Sequence, residues 1–251
     1  LTRTTIEAET ALPATGLGQL PGVHQVEVIA EHTEGGGRWG CFGECGCTGV
    51  LPGGGSTPAA LAAVVAGKVV YGDRAELERL VRPVDEVQIR RRERLLIDAT
   101  EAALRTGPGP DEDADHLVVV DAAVVDAAAG RLVLDDERVL ALAAALVRPT
   151  VRDAVLVRCA EGATGPDRTL PGAETLWAAL CRELPDPEAA EPAALLAATA
   201  LLRGEGALAN VALDRSERSW PGHRLTRLLR AACAVPMRPE EIRESLLRGS
   251  R

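Results

Sequence analysis

The sequence predicts an α+β protein: a small α/β N-terminal unit followed by an all-helical domain that contains one tetratricopeptide-like helical hairpin. One observation behind this prediction is the composition, with 46% hydrophobic residues but only one Phe, one Tyr and one Met among 251 residues. A core of Ala, Leu and Val suits closely packed helices better than an aromatic-rich sandwich. The other is the order of patterns, because the clearest strand patterns come before residue 72 and helical periodicity dominates after it.

The N-terminal unit is predicted from alternation and helix-start signals. Residues 24–32, HQVEVIAEH, contain β-branched residues in partial alternation and predict a strand that leads into a glycine-rich loop at 38–55. Pro58 predicts the start of a helix over 58–67, and KVVY at 68–71 predicts a second short strand. These elements form a small mixed α/β unit.

Two helices are predicted to follow. Asp73 and Glu76 resemble a capping box that opens a helix ending near residue 81, and Pro83 separates it from a long amphipathic helix over 85–105. The long helix carries a basic cluster, which we interpret as a solvated helix face: Arg90, Arg91, Arg92 and Arg94.

A domain boundary is predicted at TGPGPDEDAD, a stretch rich in Pro, Gly and acidic residues. The chain then divides into an α/β unit with the cysteine loop and the long helix at 1–106, a linker at 107–116 and a helical domain at 117–251. HLVVVDAAVV, at the start of the helical domain, is interpreted as helix, with a buried strand as the alternative. The helices of this domain are predicted at 117–129, 136–147, 151–159, 173–183, 191–203, 206–217, 223–234 and 239–247.

One segment of the helical domain resembles a tetratricopeptide repeat, which reads W-x2-L-G-x2-Y, then A-x3-F, then P. The corresponding positions of this chain hold Leu196, Ala197, Ala200, Ala209, Leu213 and Pro221. Ala193, Ala200 and Leu213 replace the large Trp, Tyr and Phe, and no second copy follows at the same period. The segment is therefore either one helical hairpin within a larger helical domain or a protein-docking groove.

Four stretches give the chain a family resemblance: RWGCFGECGC, AAVVAGKVVYGDRAELERLVRPV, LWAALCRELPDP and LLAATALLRGEGALANVALDRSERSWPGHRLTRLL. With these stretches the chain resembles an actinobacterial domain-of-unknown-function family, DUF4192, over residues 37–240, and GALANVALDR is the most specific part. The resemblance implies this architecture and a bacterial cytoplasm, and it implies no activity or catalytic residue. Members carry a further N-terminal segment, so it also implies a chain without that segment.

The cysteine loop is the strongest candidate for chemistry. Cys41, Cys45 and Cys47 have the spacing C-x3-C-x-C, and His32 lies nine residues before the first of them. Three thiolates and an imidazole could complete a tetrahedral site, so zinc is the candidate cofactor. Structural zinc sites usually have two separated ligand pairs, whereas these thiols share one loop. Thiol or redox catalysis and unreactive cysteines that fill a turn therefore stay open as alternatives.

Two further groups are candidate binding residues. Arg38 and Trp39 precede the cysteine loop. Asn210 and Asp214 lie one turn apart on a predicted helix, with Arg215 adjacent. Polar groups on an otherwise apolar face need hydrogen-bond partners if they are buried, so these residues form either a structural network or a ligand-binding patch.

Charge and cysteine usage narrow the classes of partner. A net charge of −9 disfavours nucleic acid, and no apolar stretch is long enough to span a bilayer. Scattered cysteines and the lack of a signal-peptide pattern favour the cytoplasm. We expect a non-enzymatic interaction or regulatory module that binds another protein through its helical domain, and an acidic, alanine-rich surface is compatible with a homodimer. The alternative is a zinc- or thiol-dependent enzyme that uses the cysteine loop.

Overall fold

A computed structural model describes residues 26–28, 37–41, 47–51, 57–65, 71, 73–83, 85–106, 112–163, 169–235 and 237–249. The chain forms two compact units, residues 1–73 and residues 74–251. This division differs from the predicted one, which placed a linker at 107–116. The predicted first domain thus contributes its long helix to the second unit.

Within its described residues, the first unit contains a three-stranded antiparallel sheet in the order β1-β2-β3 and one helix. Its elements are β1 (Val26–Val28), β2 (Gly37–Cys41), β3 (Thr48–Leu51) and α1 (Pro58–Val65). β1 lies within the predicted strand, and α1 begins at the predicted Pro58. The prediction of one continuous loop at 38–55 is wrong, because β2 and β3 form a hairpin within it. Most of the predicted KVVY strand lies outside the described residues.

A tryptophan and a glycine pack against each other in this hairpin. The register pairs Trp39 with Gly49, and a Cβ built on Gly49 would lie 2.5 Å from Trp39 Nε1. Only glycine leaves room for the indole ring at this position of β3. The glycine-rich composition that predicted a loop is thus compatible with a strand, because one of the glycines makes space for a cross-strand aromatic side chain.

The second unit is helical throughout its described secondary structure. Its helices are α2 (Arg74–Val81), α3 (Glu86–Thr106), α4 (Glu112–Ala128), α5 (Asp136–Leu146), α6 (Pro149–Gly162), α7 (Thr169–Glu183), α8 (Ala190–Leu202), α9 (Gly206–Ser219), α10 (Arg224–Cys233) and α11 (Pro239–Gly249). The chain is therefore mostly helical with a small antiparallel sheet. No helix in the described part of the chain is long and apolar enough to cross a membrane.

The core of the helical unit is built around α8. Every residue of α8 is buried, and α6, α7, α9, α10 and α11 all pack against it. A helix that is apolar on all sides must be covered on all sides, which explains its central position. The turn from α8 to α9 depends on Gly204 at φ +74, where Glu205 N donates to Ala200 O at 2.8 Å. This left-handed glycine ends α8 and lets α9 return along it.

Helix α4 differs from its sequence-based prediction. The helix predicted from residue 117 begins five residues earlier, at Glu112, and the alternative of a strand in its apolar run is wrong. Asp113 and Asp115 lie in its first turn, where acidic side chains interact favourably with the helix dipole. The same acidic residues had indicated a linker.

The interpretation of the basic cluster on α3 as solvated is wrong for one of its members. Arg92 exposes none of its side chain. Its guanidinium donates to Asp136 Oδ1 at 3.1 Å and to the backbone oxygens of Glu183 and Leu134, each at 3.0 Å, and it also bonds the Glu183 carboxylate. Arg92 thereby ties α3 to the start of α5 and the end of α7.

Candidate functional site

The predicted pair Asn210 and Asp214 lies on the solvent side of α9, where neighbouring helices supply arginines. Asp214 Oδ2 accepts from Arg74 Nη2 of α2 at 2.5 Å, and Asp214 Oδ1 pairs with Arg230 of α10. Arg230 Nη1 also donates to Asn210 Oδ1 at 3.2 Å. These ion pairs join α2, α9 and α10 at the surface, so Asn210 and Asp214 are constituents of a polar network.

The arginines determine the charge state of Asp214. Partial burial acts to raise the pKa of this carboxyl, but hydrogen bonds from Arg230 and Arg74 outweigh it and hold the pKa below the ordinary value of 3.8. The carboxylate is therefore ionised at any pH near neutrality. It keeps both arginine side chains in place along this face.

Arg215, the third predicted residue of α9, is 5% exposed. Its Nε donates to Val81 O at 3.2 Å and its Nη1 donates to Asp186 Oδ1 at 2.8 Å and to the Ser219 hydroxyl. The guanidinium thus satisfies a carbonyl at the end of α2, which otherwise has no donor within the helix. This geometry gives Arg215 a structural contact, and its role in ligand binding stays a prediction.

Three open cavities follow one another along α9, α2 and the start of α3. The first, of about 380 Å³, shares Glu78 and Arg218 with the second, of about 600 Å³. The second shares Arg82 and Pro83 with the third, of about 560 Å³. We call this run of cavities the α2–α9 groove. Its lining residues are Arg74, Ala75, Glu78, Arg79, Arg82, Pro83, Glu86, Ile89, Arg90, Asp186, Val211, Asp214, Arg215, Glu217, Arg218 and Arg230.

The predicted residues of the cysteine loop are only partly described. Cys41 ends β2 and Cys47 directly precedes β3, so the pairing of Gly40 with Thr48 brings these two backbones close together. Cys47 and Arg38 are exposed and Trp39 is partly exposed. His32 and Cys45 lie outside the described residues. Within the described ranges, no group of three or more His, Cys, Asp and Glu side chains could hold a metal ion, and the zinc site stays a prediction.

A second polar cluster, which the sequence did not predict, lies inside the helical unit. His223 Nε2 is 3.0 Å from Glu191 Oε1, and its Nδ1 is 2.8 Å from the Thr226 hydroxyl. That hydroxyl is also 2.6 Å from the Ser216 hydroxyl, which donates to Ala190 O. A carboxylate, an imidazole and a hydroxyl are connected as in a catalytic triad.

Burial distinguishes this cluster from an active site. Ser216 and Thr226 expose no surface, so no substrate reaches either hydroxyl in this structure. Each hydroxyl is already bonded to a neighbouring helix or to the imidazole. The cluster instead connects α8, α9 and α10 by satisfying polar groups within the core. His223 directly precedes α10, at the corner between α9 and α10.

The helical unit and its surface groove define an α-helical protein with an open, charged site. Comparison of the chain with known protein families identifies the family to which it belongs. The chain belongs to the family described as Domain of unknown function (DUF4192), whose model matches residues 11–240. The resemblance inferred from the four sequence stretches is thus confirmed. The actinobacterial origin and the lack of an N-terminal segment stay predictions. No curated protein and no solved structure matches the chain.

Proposed function

We propose that the protein is a cytoplasmic, non-enzymatic interaction module whose helical unit binds a segment of another protein in the α2–α9 groove. The observation that carries this proposal is that three open cavities adjoin one another through shared lining residues, over a surface to which α2, α3, α9 and α10 contribute. An elongated, open groove suits a polypeptide segment better than a small substrate, which is usually enclosed. The buried positions of Ser216 and Thr226 also speak against hydrolysis at the internal triad-like cluster.

The tetratricopeptide-like hairpin belongs to this proposal. Ala197 and Ala200 on α8 and Ala209 on α9 are fully buried, and α8 and α9 have the most extensive helix–helix contact of the unit. Small residues let two helices approach closely, as in that repeat. In this arrangement the opposite face of α9 is left to line the groove. The hairpin acts as the support of the binding surface, and Asn210 and Asp214 hold the arginines that line it.

Site-specific photocrosslinking in cells tests the proposal. A photoreactive phenylalanine analogue replaces Ala75, an exposed residue that lines the groove, and in a matched control it replaces Ala99, an exposed alanine of α3 outside the groove. We expect an adduct from position 75 and none from position 99. The captured protein, identified by mass spectrometry and purified, should bind the wild-type chain, and Pro83→Asp, at an exposed position that lines the groove, should weaken that binding. Equal capture at both positions contradicts the proposal. An adduct of two copies of this chain identifies the partner as a second copy of the chain and the complex as a homodimer.

The hairpin register favours a second candidate, a zinc- or thiol-dependent enzyme. Because Gly40 pairs with Thr48, the backbones of Cys41 and Cys47 lie close together at this end of the paired strands, and Cys45 lies between them in the sequence. Elemental analysis of protein purified under reducing conditions without chelator tests this candidate. If the protein is a zinc enzyme, we expect about one zinc per chain, as one tetrahedral site requires. Cys41→Ser should then lose the metal while the helical unit stays folded. The absence of bound metal and of a reactive thiol contradicts it.

A further inference from the structure

Most acidic side chains of the α2–α9 groove are already neutralised by an arginine. Glu78 pairs with Arg74 at 2.8 Å, and Asp186 pairs with Arg215 at the same distance. Asp214 is held by Arg74 and Arg230, and Glu86 pairs with Arg90 at 3.4 Å. Glu217, at the end of the first cavity, accepts from the backbone nitrogen of Gly222 at 3.0 Å. These ion pairs contribute little net field to the groove.

Three arginines of the groove have no such partner among the described residues. Arg79 and Arg82 lie at the end of α2, and in the described part of the chain neither forms an ion pair. Arg218 of α9 donates from Nε to the backbone oxygen of Asp214 at 3.1 Å, and no described carboxylate pairs with the rest of its guanidinium. All three are exposed and line the same cavity of about 600 Å³. The middle of the groove therefore carries three unpaired positive charges.

We infer that this arginine trio binds carboxylates of an acidic segment of the partner protein. The inference rests on the proposed function and names the chemistry of its ligand. A guanidinium presents a planar set of donors that matches the two oxygens of a carboxylate. Because the whole chain has a net charge of −9, three unpaired arginines on one cavity form a local positive region that would orient an acidic segment.

The surroundings of the trio favour a short acidic peptide over a nucleic acid. On both sides of the trio the arginines are already paired with acids, so a continuous phosphate backbone would meet no further unpaired arginine among the described lining residues outside the central cavity. Pro83 and the partly exposed Ile89 add apolar surface at one end of the groove. Such a mixture suits a peptide that places acidic side chains at the centre and an apolar side chain beyond them.

Fluorescence anisotropy with a labelled peptide tests the inference. The probe is a short peptide that alternates glutamate and alanine, and its counterpart has glutamine at every glutamate. The variant chain carries Arg79→Gln, Arg82→Gln and Arg218→Gln, three exposed positions, and circular dichroism verifies that it folds. We expect the glutamate peptide to bind the wild-type chain. The triple variant should bind this peptide about tenfold more weakly, since each exposed ion pair contributes only modestly. Added salt should weaken the wild-type complex.

A second triple variant controls for total charge. Its substitutions are at exposed arginines that do not line the groove: Arg105→Gln, Arg131→Gln and Arg224→Gln. It changes the net charge by the same amount and should leave the affinity unchanged. Equal weakening in both triple variants overturns the inference, as does a glutamine peptide that binds as well as the glutamate peptide.

Two further measurements separate the sources of negative charge and the two proposals. The inference is overturned in favour of a phosphate site by either of two results. In one, an otherwise neutral peptide with one phosphoserine binds the chain although the glutamate peptide does not bind. In the other, inorganic phosphate displaces the glutamate peptide at equal concentration. If the glutamate peptide does not bind while the partner captured at position 75 still binds and is still weakened by Pro83→Asp, the inference fails and the proposed function stands. If position 75 captures no partner, the proposed function fails first.

Discussion

Gly172 of α7 lies against the backbone of Val124 in α4: a Cβ built on Gly172 would be 2.6 Å from Val124 O and 2.8 Å from Ala128 Cβ. The same glycine is buried. α4 and α7 can approach this closely only because one of them has no side chain at the crossing point. The contact supports the packing of α4 onto the α7–α8 core.

We predict that Gly172→Ala destabilises the helical unit by about 1–3 kcal/mol, the range for extra atoms forced into a packed core. Alanine has the higher helix propensity, so any loss of stability must come from the clash with α4. Gly206→Ala, at the start of α9, is the matched control because a Cβ there would meet no atom within 4 Å. Urea unfolding followed by circular dichroism measures both. Equal stability of the two variants would show that α4 and α7 do not approach as described.

Helix positions were largely predictable from local sequence, because their signals are local. The long helix was predicted at 85–105 and is observed at Glu86–Thr106, and Asp85 Oδ1 accepts from Val87 N at 2.8 Å as a capping residue should. The acidic run before α4 was ambiguous, since the same residue types favour an exposed linker and the first turn of a helix.

The candidate site could be predicted only in part, because the side chains that pair with its residues come from distant segments of the sequence. Asn210 and Asp214 stood out on α9, but the arginines that hold Asp214 come from α2 and α10, and Arg74 is 140 residues away in sequence. Arg79, Arg82 and Arg218 carry no local signal that sets them apart from the other arginines. These three arginines differ from the others of the groove because no described carboxylate pairs with them, and only the tertiary structure shows which carboxylates and arginines are paired.

Arg92 makes a second stability prediction. Arg92→Ala removes a buried guanidinium and leaves Leu134 O and Glu183 O without their donor. Because breaking a buried ion pair from one side is costly, we expect a loss of about 3 kcal/mol in the free energy of unfolding. Arg90→Ala, which removes only an exposed pair with Glu86, should change the stability by less than about 0.5 kcal/mol. Urea unfolding compares the stability of the two variants. A small effect of both substitutions would contradict a stabilising role for the buried contacts of Arg92 with α5 and α7.

The buried thiols should be unreactive in the folded protein. Burial raises the pKa of Cys159 to about 11 and that of Cys181 to about 12. At pH 8 the reactive thiolate of Cys159 is then only about one molecule in a thousand. With Ellman's reagent, we expect the exposed Cys233 to react and both buried thiols to stay protected until urea is added. Mass mapping of the modified peptides identifies the sites, and rapid modification of Cys181 without urea would contradict its burial.

The same pKa values predict a loss of stability in alkali. The folded chain keeps the thiol protons of Cys159 and Cys181 above the ordinary pKa of 9.0, whereas the unfolded chain releases them. The free energy of unfolding should therefore be unaffected by these groups below about pH 9 and should fall as the pH rises toward 11. Urea unfolding at a series of pH values measures the slope. Cys181→Ala should reduce the slope above pH 9, and an unchanged slope would assign the alkaline loss to other groups.

The internal cluster at His223 makes the last prediction, because it distinguishes a structural network from a catalytic one. Thr226→Val keeps the shape of the side chain but leaves the Ser216 hydroxyl and the His223 Nδ1 without this partner. We expect a loss of about 1–3 kcal/mol from the unsatisfied buried groups. Thr175→Val is the control, since its exposed hydroxyl donates only to Pro171 O of its own helix. If the role is structural, Thr226→Val lowers the urea midpoint while groove binding, measured with the glutamate peptide in the absence of urea, is retained. A variant of unchanged stability would mean that the hydroxyl is not needed for packing, and it would return the cluster to consideration as a reactive site.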